Sequence, residues 1–143
     1  MTEEVEKKGP VRVLVESPLN GGSDEATGKN LLYARCCVRD SVSRGEAPYA
    51  SHLFYTQSGI LNDNIPEERQ QGIDSGLTWG SAAEKSAVYT DLGVSRGMEY
   101  GIANAEAAKR PIEMRSLGTP DEVEALIKKM SEEKPHFDTG ILF

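Results

Sequence analysis

Ser86-Ala87-Val88-Tyr89-Thr90-Asp91-Leu92-Gly93-Val94-Ser95-Arg96-Gly97-Met98 passes from a short apolar run, through a glycine-bearing turn, into the start of an amphipathic helix. Ser86 to Thr90 reads as a strand, and the helix is expected from about Ser95 to Ala108 with Met98, Ile102 and Ala105 on one face. The same alternation extends in both directions. Upstream, Val11 to Glu16 is a nearly continuous branched apolar run suited to a buried parallel strand, ended by Ser17-Pro18. Leu19 to Lys29 is rich in Gly, Ser, Asp and Asn and reads as a loop. Asn30 to Ser43 places Leu31, Ala34, Val38 and Val42 at helical spacing, with Asn30 as cap and Gly45 at the close. Pro48 to Tyr55 reads as a second strand from its aromatic residues. Pro66 opens a helix to about Glu84, in which Gly72, Gly76 and Gly80 recur every fourth residue. Each glycine costs about 1 kcal/mol relative to alanine in a helix, so this face is expected to pack closely on a sheet or a neighbouring subunit. Downstream, Pro111 to Arg115 is a fourth strand. Thr119-Pro120-Asp121-Glu122 then starts a helix carrying Val123, Leu126, Ile127 and Met130 on one stripe. Strands alternating with helices predict right-handed parallel crossovers, hence an α/β three-layer sandwich around a mainly parallel sheet of four to five strands.

The length suits a single domain over residues 1–143, with a flexible N-terminus at 1–9 and a tail at 135–143. Ile141-Leu142-Phe143 ends that tail, and an apolar end of this kind is expected to pack on its own core or on a partner subunit. A net charge of -7 argues against a sequence-independent grip on nucleic acid. Adjacent Cys36 and Cys37 are poorly placed for a mutual disulfide and are expected to be reduced, as in the cytoplasm. With only His52 and His136 besides, no metal site and no cofactor are expected. The charged segment Met1 to Lys8 lacks the apolar core of a secretory signal, and no run reaches the ~20 apolar residues of a membrane span.

The turn after Thr90 combines a strand-end carboxylate, two glycines and a hydroxyl at a helix start, the elements of an anion or hydroxyl site. Ser95 binds a ligand oxygen or caps the helix; Asp91 selects hydroxyls or caps the turn. His52 borders a pocket or serves as a hydrogen-bonded structural residue. Tyr55 and Trp79 stack on a base or belong to the core. Arg35, Arg69 and Arg96 are candidate phosphate partners, with Arg96 the best placed.

Several segments together resemble the nucleoside 2-deoxyribosyltransferase-like superfamily of Rossmann-like proteins, in an uncharacterised bacterial and phage branch. They are Glu16-Ser17-Pro18, Asn30 with Tyr33-Ala34-Arg35, Gly45-Glu46-Ala47-Pro48, Ser51-His52-Leu53, Pro66-Glu67-Glu68-Arg69, Tyr89 through Met98, and Arg110-Pro111-Ile112. The resemblance implies a pocket above the strand ends, lined by Ser17, Pro18, Asn30, His52, Asp91, Ser95, Arg96, Gly97 and Met98, that takes a nucleotide- or nucleoside-like small molecule. It also implies a homo-oligomer, as does the glycine-lined helix. In the transferases the nucleophilic glutamate stands six positions after the serine, which is Gly101 here, while this chain has Glu99. Two residues rotate a helical side chain by about 200°, so Glu99 does not replace it without a rebuilt turn. The resemblance therefore favours holding a ligand, such as an ADP-ribose-like or cyclic nucleotide signal, over cutting it. The alternatives are an N-glycosidic hydrolase or transferase using Glu99 or Asp91, and a partner-binding protein with a vestigial pocket.

Overall fold

Val13, Leu14 and Val15 are all buried, which requires that β1 (Arg12–Glu16) be covered on both faces. The computed structural model, which describes residues 9–136, shows how. After β1 come α1 (Asp24–Ser43), β2 (Ala47–Tyr49), α2 (Ser51–Phe54), α3 (Pro66–Gly80), β3 (Lys85–Tyr89), α4 (Arg96–Ala107), β4 (Ile112–Arg115) and α5 (Pro120–Ser131). The four strands pair in parallel in the order β2-β1-β3-β4. This is the expected Rossmann-like three-layer sandwich.

Strand alternation sorts the layers. Val13, Val15, Ala87 and Tyr89 join Tyr33, Cys36 and Cys37 of α1 and Val123 and Ile127 of α5 in the main core. Residues of opposite parity face the other layer: a Cβ on Gly80 of α3 would lie 3.0 Å from Leu14, and Ser86 meets Arg110 just past α4. The last helix is amphipathic as expected, except that Leu126 is exposed and leaves Val123 and Ile127 to fill the core.

Three boundaries differ from expectation. The first helix starts at Asp24, because Ser23 accepts a hydrogen bond from the Ala26 N–H (3.1 Å) and Asp24 and Glu25 occupy the first turn. Asn30 is thus inside the helix rather than its cap. Its side-chain amide donates to the Leu19 carbonyl (2.9 Å) and pins the preceding loop. The second strand stops at Tyr49. Beyond that point it has no pairing partner, and the chain satisfies its backbone locally, Leu53 N–H to Ala50 O and Tyr55 N–H to Ser51 O. His52 therefore lies in a one-turn helix and not in a strand, since β propensity yields to context at a sheet edge. The third helix ends at Gly80, four residues early, because the chain turns back at Ala82 and Ala83 to enter β3.

The α3 glycine face is occupied within the chain. A Cβ on Gly76 would sit 2.7 Å from Ser51 Oγ, and one on Gly72 would touch Leu61 at 3.5 Å. This face gives no ground for a homo-oligomer. The apolar end of the tail, a further ground beside the resemblance, lies outside the described residues.

Candidate functional site

The order β2-β1-β3-β4 reverses direction between β1 and β3, and the crevice beyond the carboxyl ends of strands at such a reversal is where open α/β sheets bind ligands. A cleft of about 400 Å³ lies there. Its walls are the end of β1 (Glu16, Ser17), α2 (Ser51, His52), α3 (Arg69, Ile73) and the start of α4 (Ser95 to Met98, then Tyr100 and Gly101). That volume is within the usual span of small-molecule pockets. A larger polar groove of about 900 Å³ between the start of α1 and the 58–64 segment shares Leu19, Asn20 and Asp63 with it. The smaller cleft is the chemically richer of the two, because Glu16 and His52, both perturbed by burial, border it.

Local sequence builds each wall. Gly93 turns the chain in the left-handed region (φ 89). Ser95 then caps α4, its hydroxyl accepting from the Met98 N–H (3.2 Å) while Met98 Sδ accepts from the Ser95 N–H (3.4 Å). On the opposite wall, Ser17 and His52 form a hydrogen-bonded pair, Oγ to Nε2 at 2.7 Å. Burial pushes the His52 imidazole down to about 4, so it is neutral at physiological pH.

Glu16 is the feature that sequence reasoning passed over. It has the parity of Leu14, so its side chain leaves the sheet on the α3/α4 side. A Cβ on Gly101 would lie 2.6 Å from its carboxyl carbon. The missing side chain at 101 is therefore the space that the Glu16 carboxyl fills. Burial pushes that carboxyl up to about 7, against the opposing charge of Arg110, and no hydrogen bond to it contributes among the described residues. The available signal was a single acid closing an otherwise apolar strand at the ligand end of the sheet.

Of the expected site residues, Ser17, His52, Ser95, Arg96, Gly97 and Met98 line this cleft, and Arg69 joins them. Pro18, Asn30, Asp91 and Glu99 do not. Asp91 is committed elsewhere: its carboxylate accepts from Tyr33 Oη (2.7 Å), Ser116 Oγ (2.6 Å) and the Leu117 N–H (2.9 Å). Burial works to raise it, but these hydrogen bonds outweigh burial and hold it below the ordinary aspartate range. Tyr33, the partner of Asp91, is fully buried. Glu99 points to solvent from the first turn of α4, where a carboxylate favours the helix dipole. Trp79 is 64% exposed on α3 and Tyr55 lies outside the cleft, as does Arg35.

A family model described as Domain of unknown function (DUF7768) matches residues 11–115. The chain belongs to this family. No curated protein and no solved structure matches the chain. The DUF7768 span begins just before β1 and closes with β4, so every wall of the cleft lies inside it and α5 lies outside. Among the described residues no helix is long and apolar enough to cross a membrane.

Proposed function

We propose that this domain binds a nucleoside- or nucleotide-derived small molecule in the cleft at the ends of β1 and β3. The observation that carries the proposal is the set of side chains around that cleft: a carboxyl (Glu16), a hydroxyl paired with a neutral imidazole (Ser17 and His52) and two guanidinium groups (Arg69, Arg96) around about 400 Å³. Such a ligand offers a base, sugar hydroxyls and often a phosphate, and each finds a complementary group here. The resemblance to the deoxyribosyltransferase-like proteins supports the same class, and an ADP-ribose-like or cyclic nucleotide held without turnover is the form it favours. Thermal melting of the full chain with nucleosides, mononucleotides, ADP-ribose and cyclic nucleotides tests this. At a hundredfold excess over Kd, stabilisation of ~2.7 kcal/mol is expected, with the ligand recovered unchanged by mass spectrometry. No shift with any of them would refute the proposal.

A second function is favoured by one observation: the Glu16 carboxyl occupies the space left by Gly101, the position at which the transferases carry their glutamate. A carboxyl there is suited to attack at an anomeric carbon and departure of a base. Free base released in the same incubation, and lost in Glu16→Gln, would establish N-glycosidic cleavage.

A further inference from the structure

Among the polar side chains on the cleft, Glu16 is the carboxyl with no hydrogen-bond partner among the described residues. Ser17 and His52 satisfy each other, Ser95 is committed to its helix, and Asp91 is bonded away from the cleft. The Glu16 carboxyl instead lies between β1 and α4, in space that only a glycine at 101 leaves free, beside a glycine that itself lines the cleft, with no hydrogen-bond donor acting on it among the described residues. A buried carboxylate without donors is costly, whereas a buried carboxylic acid has a donor and an acceptor side by side, ready for a partner.

We propose that Glu16 recognises its ligand as a neutral carboxylic acid, its O–H and C=O pairing with an amide or amidine edge of a heterocyclic base. This rests on the function proposed above and specifies the part of the ligand that is read. The edge supplies an acceptor to the acid O–H and an N–H to the carbonyl in one plane, so a planar base with adjacent donor and acceptor fits, and an ionised phosphate, which has no donor, does not. Binding then requires the proton on Glu16, which burial holds on by pushing the carboxyl up to about 7.

The other charged or titratable groups near Glu16 are Arg110 beside Ser86, His52 on α2, Arg69 on α3, Arg96 and Tyr100 on α4, and Asp63 in the segment before α3. A guanidinium does not titrate in the neutral range, and His52, at about 4, stays neutral there. Asp63 is the competing carboxylate and needs its own control.

The test is calorimetric titration of the full chain with adenosine, cytidine, guanosine and their 3′,5′-cyclic monophosphates at pH 5.5, 7.0 and 8.0. Affinity for the best of these is expected to fall about tenfold from pH 5.5 to 8.0, in proportion to the protonated fraction. Glu16→Gln, which presents N–H and C=O at every pH, is expected to bind with an affinity independent of pH and near the wild-type value at pH 5.5. Glu16→Ala is expected to bind at least tenfold more weakly throughout, and Asp63→Asn to keep the wild-type pH slope. Purine riboside, lacking the exocyclic amine of adenosine, is expected to lose the advantage that Glu16 confers. A flat wild-type profile, loss of binding by Glu16→Gln at pH 5.5, or loss of the slope in Asp63→Asn would each overturn the proposal while leaving nucleoside binding intact. Absence of binding to every probe at every pH would remove the parent function and this proposal together.

Discussion

At the residue scale, burial moves two groups on the cleft, Glu16 and His52, in opposite directions. Burial raises the Glu16 carboxyl from 4.5 to about 7, so its protonated form contributes stability that is fully present below pH 4.5 and is lost as pH rises through 7. Burial lowers His52 from 6.5 to about 4, so its neutral form contributes stability present above pH 6.5 and lost as pH falls through 4. The two effects oppose each other across nearly the same window and largely cancel. Glu16→Gln removes one side of the balance. Urea denaturation is expected to show the variant gaining about 3 kcal/mol on the wild type between pH 4.5 and 7.5, at 1.36 kcal/mol per pH unit. A constant difference across that range would show that the Glu16 carboxyl is not held away from water.

At the scale of elements, α3 and α2 meet where neither has a large side chain. Gly76 faces Ser51, and an added methyl would lie 2.7 Å from its hydroxyl and 2.8 Å from its Cβ, atoms that a short side chain has little freedom to move. Gly76→Ala is therefore expected to destabilise the protein by about 1–3 kcal/mol through overpacking. Ser51→Gly in the same chain should recover most of that loss. Gly72→Ala, whose new methyl would make ordinary contact with Leu61 at 3.5 Å, is expected instead to stabilise by up to about 1 kcal/mol from helix propensity. Equal effects at the two sites, measured by chemical denaturation, would contradict this packing. The contrast also shows which part of the glycine pattern was legible. The fourfold spacing announced a close approach, but identical residues in a row do not say which one touches, or whether the neighbour belongs to the same chain.

At the scale of the whole molecule, one polar network ties the edge strand β4 to the start of β2. Arg115, with a side chain 2% exposed, donates from Nη1 and Nη2 to Glu46 (2.8 and 2.7 Å) and from Nη1 to Tyr89 Oη (3.0 Å). Ser41 of α1 and Lys85 of β3 also engage Glu46, whose carboxyl the Arg115 hydrogen bonds, above all, hold at about 2. This pairing joins α1, β3, β4 and the residue that leads into β2. Removing one partner strands the other's buried charge, so Glu46→Ala is expected to cost about 3 kcal/mol, while Glu46→Leu with Arg115→Met should cost less than either change alone. Additive losses in that double-mutant cycle, read by denaturation at pH 7, would show that the pair is not coupled.

The sequence by itself determined the order and kind of most elements, because the signals are local: branched runs for β1 and β3, caps at Ser95 and Thr119, and Gly93 at a turn that needs a left-handed residue. It also placed several of these segments at the carboxyl end of the sheet, where six of the residues expected to line a pocket border the cleft. Where local signals conflicted with partners distant in sequence, tertiary structure decided. The strand expected through Tyr55 became a helix once β1 ceased to pair with it, and Asp91 turned from the cleft because Tyr33 and Ser116 supply donors 58 and 25 residues away. Ser95 to Met98, the end of that turn, build a wall of the cleft, but the carboxyl on it comes from Glu16. That exchange is invisible along the chain, because the glycine that makes room for Glu16 lies on a different element, and only packing β1 against α4 brings the two together.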